Sequence, residues 1–170
     1  AVQALMGAAF GSSGERCMAI SVAVAVGEQT AASLIEKLQA EMSNLRVGGA
    51  QDNTNDFGPL ITAEHRDKVV GLITSAEREG AVIVVDGRSP KLADEDAGFF
   101  VGGTLIDQVQ STMSCYREEI FGPVLCVVHV DNLDEAMQLV DDMNTVTARV
   151  FLQETARQQG TFQTILRREW

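Results

Sequence analysis

Apolar residues recur at two different spacings along the chain, and each spacing predicts a different kind of element. Residues 18–26 are apolar, β-branched and interleaved with small residues, which is typical of a strand covered on both faces. In residues 28–44 the apolar side chains recur at steps of three and four, which predicts an amphipathic helix. The same spacing returns in residues 63–79, where Thr62 occupies the position of an N-cap. Residues 1–9 also have helical composition, so the first half is predicted to run helix, strand, helix, helix.

The second half of the chain continues this alternation in shorter steps. Strands are predicted where brief apolar runs lie between glycine-rich or polar connections, and the strand after Gly80 is expected to be buried. The predicted strands are residues 81–85, 99–101, 104–106, 124–130 and 146–152, and the predicted helices are 131–143 and 154–166. Strands that alternate with helices indicate an α/β fold in three layers, with a largely parallel sheet flanked by helices.

Composition narrows the class of protein. The chain has 170 residues, 45% hydrophobic and 22% charged, which suits one ordinary globular domain. A formal net charge of −11, without a basic run, disfavours non-specific binding to nucleic acid. Anionic ligands are not excluded, because single arginines and helix N-termini bind phosphates locally. No stretch reaches the roughly 18 to 20 apolar residues of a membrane span, so neither nucleic acid nor membrane is an expected partner.

Four side chains are candidates for catalysis or metal binding on residue type alone. The three cysteines, Cys17, Cys115 and Cys126, lack metal-ligand or disulfide spacing, and their odd number suits a reduced, intracellular protein. Cys126 lies in an apolar run and is expected to be buried and inert. Cys115 has the surroundings of a partly exposed thiol and is a minor rival to Cys17 as a nucleophile. His65 lies among charged neighbours and is predicted to be simply exposed.

The stretch from Phe10 to Ala19 places Cys17 between a turn rich in glycine and serine and an apolar strand. A cysteine nucleophile acts as its thiolate, which a neighbouring cation and converging backbone N–H groups stabilise. Arg16 is the adjacent cation, and the glycines of the turn let the backbone approach a ligand closely. Local chemistry alone also allows a small buried cysteine after a loop.

Two stretches carry a resemblance to a known family. Glu15-Arg16-Cys17-Met18-Ala19 resembles the catalytic-cysteine loop of the aldehyde dehydrogenase superfamily, and its form is most similar to the methylmalonate-semialdehyde dehydrogenases. Glu118-Glu119-Ile120-Phe121-Gly122-Pro123-Val124 resembles a second signature of that superfamily, in the expected order and at about the expected distance. The resemblance covers nearly the whole chain and implies the catalytic domain of the aldehyde dehydrogenase fold.

The resemblance implies a cysteine-based oxidation of an aldehyde. Cys17 would attack the aldehyde carbon to form a thiohemiacetal, whose oxyanion the cysteine's own backbone N–H would partly hold. Hydride transfer to NAD would leave a thioacyl enzyme, and CoA rather than water would release the acyl group. Methylmalonate semialdehyde would yield propionyl-CoA and CO2, and malonate semialdehyde would yield acetyl-CoA by the same route.

Three further residues take roles from the resemblance. Arg16 would pair with the substrate carboxylate through its planar fork of donors. Glu119 would bind the nicotinamide ribose hydroxyls, and Phe121 would pack beside that ribose and ring. From the residues alone, Arg16 could point to solvent, Glu119 could belong to an acidic loop and Phe121 to the core. Two other functions stay open: a hydrolytic NAD(P)-dependent aldehyde dehydrogenase and a non-catalytic truncated remnant.

The resemblance also implies parts that lie outside the chain. The NAD-binding domain and the C-terminal strand that builds the oligomer have no counterpart in the sequence, which begins without a methionine. Residues 1–170 are therefore expected to be a partial catalytic domain, inactive in isolation, of a homo-oligomer (dimer or tetramer). That parent is expected in the cytoplasm if bacterial and in the mitochondrial matrix if eukaryotic.

Two short patches near the C-terminus depart from the family pattern. Thr145-Val146-Thr147-Ala148-Arg149 stands where relatives would read Tyr-Gly-Asn-Gly-Thr, and codons for the latter read one base later encode the former. Arg167-Arg168-Glu169-Trp170 relates to Glu-Ala-Gly-Met in the same way. The hypothesis is that local frameshifts produced both patches, and sequencing the encoding DNA tests it.

Overall fold

A computed structural model describes residues 1–92, 98–141, 148–154 and 162–165, and in these a single six-stranded sheet carries helices on both faces. The helices are α1 (Val2–Phe10), α2 (Glu28–Met42), α3 (Ala63–Arg78), α4 (Ser114–Arg117) and α5 (Leu133–Asp141). The strands are β1 (Ile20–Val26), β2 (Val82–Val85), β3 (Thr104–Asp107), β4 (Val124–Val130), β5 (Ala148–Glu154) and β6 (Phe162–Ile165). Their order in the sheet is β2-β3-β4-β1-β5-β6.

The central part of the sheet is parallel, as the alternation of strands and helices predicts. Strand β1 pairs in parallel with β4 on one side and with β5 on the other, and β3 pairs in parallel with β4. Only the two edge strands are antiparallel to their neighbours, β2 to β3 and β6 to β5. The predicted α/β fold with a largely parallel sheet is confirmed.

The two faces of β1 pack against different sets of helices. Val22 and Val24 belong to a core cluster that includes buried side chains of α3, α4 and α5. Ala23 and Ala25 belong to a second cluster, with buried side chains of α1 and α2. Because successive strand residues point to opposite faces, a strand between two helical layers is apolar along nearly its whole length, and Ser21 is the one polar residue of β1. The prediction that this strand is covered on both faces is confirmed.

Three of the predicted elements are wrong in their type or burial. Strand β2 is a half-buried edge rather than a buried strand: 44% of Val82 is accessible, and Ile83, Val84 and Val85 are half-buried. Phe99 forms only an isolated bridge to Leu60, because the segment after it turns back and bonds Gly87 instead of continuing along a neighbouring strand. Residues 162–165 form β6 rather than part of a helix, because pairing with β5 overrides the local helical spacing.

The hypothesis of two frameshifts stays a prediction. Residues 145–147 and 167–170 lie outside the described residues, and Ala148 and Arg149 begin β5. Among the residues that the structure does describe, no helix combines the length and apolar character needed to cross a membrane.

A network around Arg88 joins the loop after β2 to helix α3, and it makes stability depend on pH. The guanidinium donates to both carboxylate oxygens of Asp86, with Nη2 2.6 Å from Oδ2, and to Glu77 Oε2 at 2.7 Å. These bonds from Arg88 hold the pKa of Asp86 below its ordinary value. In acid, Asp86 therefore binds a proton more readily in the unfolded chain than in the folded one. The stabilisation is fully present above the pKa that Asp86 has in the unfolded chain, and it is lost as pH falls through the lower pKa that it has in the folded chain.

Asp86→Asn is expected to lower the free energy of unfolding at pH 7 by at most about 1 kcal/mol, because the pair is partly exposed to solvent. The difference from the parent should shrink as pH falls below the ordinary carboxyl pKa of about 4, and it should vanish once the pH is below the lowered pKa of Asp86 in the folded parent. Urea unfolding at pH 7 and pH 3 measures both differences. An equal difference in unfolding free energy at the two pH values would contradict the conclusion that ionised Asp86 stabilises the fold through Arg88.

Candidate active site

The loop that carries Cys17, named the cysteine loop, spans residues 11–19 and contains three consecutive residues in the left-handed conformation. Helix α1 ends at the buried Phe10, and the 3₁₀ segment Gly11–Gly14 follows, with φ of 52° at Ser12, 58° at Ser13 and 68° at Gly14. The Ser13 hydroxyl donates to the Gly58 carbonyl at 2.8 Å and so fixes the turn to a distant loop. Cys17 follows this turn as an exposed thiol, just before β1 begins.

The second motif forms the loop between α4 and β4, which is residues 118–123 and is named the Phe121 loop. Ile120 is buried, whereas its neighbours Glu119 and Phe121 are exposed. Phe121 adopts a φ of 53° and leaves 36% of its surface accessible. The Lys68 ammonium donates to the Glu119 carbonyl at 3.3 Å, which leaves the Glu119 carboxylate free of that contact. Anchored by Ile120, the loop therefore presents a carboxylate and an aromatic ring to solvent.

The two motifs contact each other at a pair of glycines. A Cβ on Gly14 would lie 2.1 Å from the Gly122 carbonyl oxygen and 2.5 Å from its carbon, so only glycine permits this approach. A Cβ on Gly122 would in turn lie 2.9 Å from a methyl group of Val69 on α3. The cysteine loop, the Phe121 loop and α3 are thus packed together without space for one further carbon atom.

His65 joins the same two loops, and the prediction that it is simply exposed is wrong. Thr62 is the N-cap of α3, as predicted, and accepts a hydrogen bond from the His65 backbone N–H at 3.1 Å. The His65 side chain reaches Phe121, with Nε2 2.7 Å from the carbonyl oxygen. Glu15 Oε1 lies 3.7 Å from the same nitrogen. No local pattern could reveal these contacts, because Phe121 is 56 residues away along the chain.

Arg16 turns back onto its own loop. Its Nε and Nη2 atoms donate to the Ser12 hydroxyl at 3.1 and 2.8 Å. The guanidinium lies over Gly11, where an added Cβ would be 3.2 Å from Nη1. Within the described ranges no carboxylate forms an ion pair with Arg16, and its side chain is exposed. The cation therefore supports the turn and still faces solvent.

The other two cysteines are buried, so the expected partial exposure of Cys115 is wrong. Cys115 is 2% exposed and Cys126 is 0% exposed, because α4 packs onto β4 inside the core cluster next to α3. Hydrogen bonding with Cys115 and complete burial raise the pKa of the Cys126 thiol well above its ordinary value. Cys17 is the one exposed thiol of the three.

The fold and this arrangement define a class of protein. An exposed cysteine follows a left-handed turn, and Gly14 of that turn packs against Gly122 of a loop that presents a carboxylate and an aromatic ring, on an α/β sheet covered by helices. Such a surface suits a cysteine nucleophile that works beside a bound organic ligand. The class that the fold defines is an α/β domain with a largely parallel sheet, in which one of the three thiols is exposed beside this loop contact.

The chain belongs to the aldehyde dehydrogenase family, whose model matches residues 1–161. It is 56% identical over 142 residues to malonate-semialdehyde dehydrogenase of Pseudomonas aeruginosa, covering 84% of this chain and 29% of that protein. It is 48% identical over 138 residues to the acylating, mitochondrial methylmalonate-semialdehyde/malonate-semialdehyde dehydrogenase of Rattus norvegicus, covering 81% and 25%.

Solved structures show the same relationship. Methylmalonate-semialdehyde dehydrogenase (DddC) from Oceanimonas doudoroffii superposes with a TM-score of 0.81 at 58% identity, covering 83% of this chain and 29% of that one. A Sinorhizobium meliloti 1021 structure with NAD bound superposes with a TM-score of 0.79 at 50% identity, covering 81% and 28%. The resemblance and the fold predicted from it are confirmed. The chain spans less than a third of the length of these relatives.

Proposed function

We propose that the protein carrying this chain is an NAD-dependent, CoA-acylating dehydrogenase of methylmalonate and malonate semialdehyde. In this proposal residues 1–170 are the partial catalytic domain, and the NAD-binding domain and oligomerisation strand lie outside them. The observation that supports it is the contact between the exposed Cys17 loop and the Phe121 loop through Gly14 and Gly122. The similarity to malonate-semialdehyde dehydrogenase supports the choice of substrate, and the similarity to the acylating mitochondrial enzyme supports acylation.

Cys17 is the proposed nucleophile. Its sulfur bonds to the aldehyde carbon as the carbonyl electron pair moves to oxygen, and backbone N–H groups of the loop stabilise that oxygen. Loss of hydride from the carbon restores the C=O bond and leaves a thioester on Cys17. The bond between the substrate carboxylate and the α-carbon breaks to release CO2, and the α-carbon takes up a proton in its place. Attack by the CoA thiol on the thioester carbon releases acyl-CoA and the Cys17 thiolate, and the proton of the CoA thiol passes to solvent. NAD, when bound, supplies the two-electron acceptor for the hydride.

The residues of the Phe121 loop fit a nicotinamide riboside. The Glu119 carboxylate is exposed and would accept two hydroxyl hydrogen bonds, and the accessible ring of Phe121 would pack beside the ribose and the nicotinamide. Both groups stand on one short loop that packs against the Cys17 loop through Gly122 and Gly14, so they would hold the acceptor near the proposed nucleophile. Arg16 would bind the substrate carboxylate, for which the guanidinium must exchange part of its bonding to Ser12.

The role of Glu119 predicts a selective loss of cofactor affinity. In the full polypeptide encoded by the gene, Glu119→Gln is expected to raise KM for NAD about tenfold or more, because two charge-assisted hydrogen bonds become neutral ones. Glu118→Gln, in which the exposed neighbour changes in the same way, should leave KM for NAD unaltered. Steady-state kinetics with varied NAD measure both. Equal effects of the two variants would contradict the assignment.

Product analysis separates the proposed activity from the alternatives. With malonate semialdehyde, NAD and CoA, NADH formation should be accompanied by an equal amount of acetyl-CoA, detected by mass spectrometry. Free acid in place of acyl-CoA would indicate the hydrolytic enzyme, and no NADH from the full polypeptide would indicate a non-catalytic remnant. The parent is proposed to be a homo-oligomer, in the cytoplasm if bacterial and in the mitochondrial matrix if eukaryotic.

A further inference from the structure

We infer that His65 is a positioning residue that holds the Phe121 loop at a fixed distance from the Cys17 loop and so sets the geometry of hydride transfer. The inference rests on the proposed function and adds to it a residue on α3, outside both sequence motifs. Its basis is that one nitrogen of His65 faces both loops, with Phe121 O at 2.7 Å and Glu15 Oε1 at 3.7 Å.

The bond to Phe121 determines which nitrogen of His65 carries a proton. A carbonyl oxygen can only accept, so Nε2 must be protonated and donate. The backbone of His65 is itself held, because its N–H donates to the Thr62 hydroxyl at the start of α3. The donor therefore projects from the first turn of a long helix whose buried residues pack in the core. Such a donor is well placed to restrain a loop.

Glu15 brings the cysteine loop to the same nitrogen. Its side chain is only 13% exposed, and it stands two residues before Cys17 in the sequence. At 3.7 Å the carboxylate is attracted to the polar N–H without forming a hydrogen bond of ordinary length. The charged residues next to His65 on its own helix are Glu64, Arg66, Asp67 and Lys68. Arg66 pairs with Asp67, and Lys68 donates to the Glu119 carbonyl rather than to Glu15.

Phe121 needs such a restraint because its backbone is left-handed. A φ of 53° in a residue with a Cβ costs about 1 to 2 kcal/mol, so the conformation persists only where the surroundings hold it. His65 donates a hydrogen bond to the Phe121 carbonyl, and the two rings pack edge-on with their centroids 6.3 Å apart. Without this bond, we expect the Phe121 peptide to relax and the ring to move relative to Cys17.

The consequence concerns the chemical step more than the binding of ligands. Hydride transfer requires the carbon bonded to Cys17 and the acceptor beside Phe121 to be aligned, and a displacement near 1 Å can cost about 100-fold in rate. His65 touches neither the substrate nor the cofactor in this scheme. Its loss is therefore expected to lower kcat while KM values change little.

Three substitutions of His65 test this in the full polypeptide. Glutamine places an amide donor near the position of Nε2, whereas asparagine is too short and alanine has no donor. His65→Ala and His65→Asn are expected to lower kcat about 10- to 100-fold, and His65→Gln should retain most of it. The primary isotope effect with C1-deuterated aldehyde should rise in the alanine and asparagine variants, because hydride transfer becomes slower. Arg66→Ala is the matched control and should behave as the parent, because Arg66 lies on the same turn and its side chain pairs with Asp67 rather than with either loop.

A second readout needs no substrate and separates this inference from the proposed function. Amide hydrogen exchange at residues 119–122, in the protein without ligands, should accelerate at least tenfold in His65→Ala and His65→Asn but not in His65→Gln. If exchange responds in this way but no variant or parent reduces NAD, the proposed function fails and the structural role of His65 stands. Unchanged exchange in His65→Ala, or a glutamine variant as impaired as the alanine one, overturns the inference.

Discussion

Replacing Cys17 by alanine is expected to abolish aldehyde oxidation by the full polypeptide, with kcat lowered on the order of 10⁴-fold or more. The thioester route requires a sulfur atom at the point of attack, and the structure offers no substitute nearby: the other two thiols are buried within the core. NADH formation with malonate semialdehyde, measured to the lowest detectable rate, checks this. The serine variant should be nearly as inactive, because a hydroxyl is a much weaker nucleophile at neutral pH.

The matched control for this prediction is Cys115→Ala. Cys115 is buried on α4, so its replacement by alanine is expected to lower the free energy of unfolding by roughly 1 kcal/mol through lost packing. The folded variant should retain its activity. Alkylation of the parent by iodoacetamide, followed by peptide mapping, should label Cys17 well before either buried thiol. A Cys17→Ala variant that still forms NADH and acyl-CoA at a rate near the parent would exclude Cys17 as the nucleophile.

Periodicity predicts the interior of this fold better than its margins. The strand Ile20–Val26 could be recognised as doubly covered because both of its faces meet helices, which leaves Ser21 as the one polar residue in the pattern. The edge strands of the sheet depend on contacts that the local pattern does not show. Residues 162–165 pair with β5, a contact set by tertiary structure rather than by local spacing. Val82 is exposed although its neighbours are apolar, since an edge strand has a partner on one side only.

The candidate site divides in the same way between local and distant information. Cys17, Glu119 and Phe121 stand in contiguous motifs, so their residue types and order could be interpreted directly from the sequence. The contacts between the motifs could not, because they depend on how α3 packs against both loops. His65 lies in an ordinary charged helix start, and only the folded chain brings its ring to Phe121 and Glu15.

Gly14→Ala is expected to be the most destabilising single substitution in the cysteine loop, lowering the free energy of unfolding by about 3 kcal/mol or more. Two costs add. A φ of 68° is strained for alanine, and the new Cβ would lie 2.1 Å from the Gly122 carbonyl oxygen. That oxygen belongs to the backbone and cannot rotate away as a side chain would. The two loops must therefore separate, which moves Cys17 away from Phe121. Urea unfolding measures the loss.

Gly7→Ala is the matched control for this prediction. Gly7 is an exposed residue inside α1, and an added Cβ would meet nothing within 4 Å. Alanine there is expected to stabilise the protein by about 0.5 to 1 kcal/mol, because it restricts the unfolded chain and favours helix. The same glycine-to-alanine change, made seven residues apart, should therefore alter the free energy of unfolding in opposite directions. That result would show that the contact between the motifs is a specific feature of the folded state. A Gly14→Ala variant as stable as the parent would instead mean that the two loops do not meet at Gly14, and the proposed placement of the nucleophile beside the cofactor loop would lose its support.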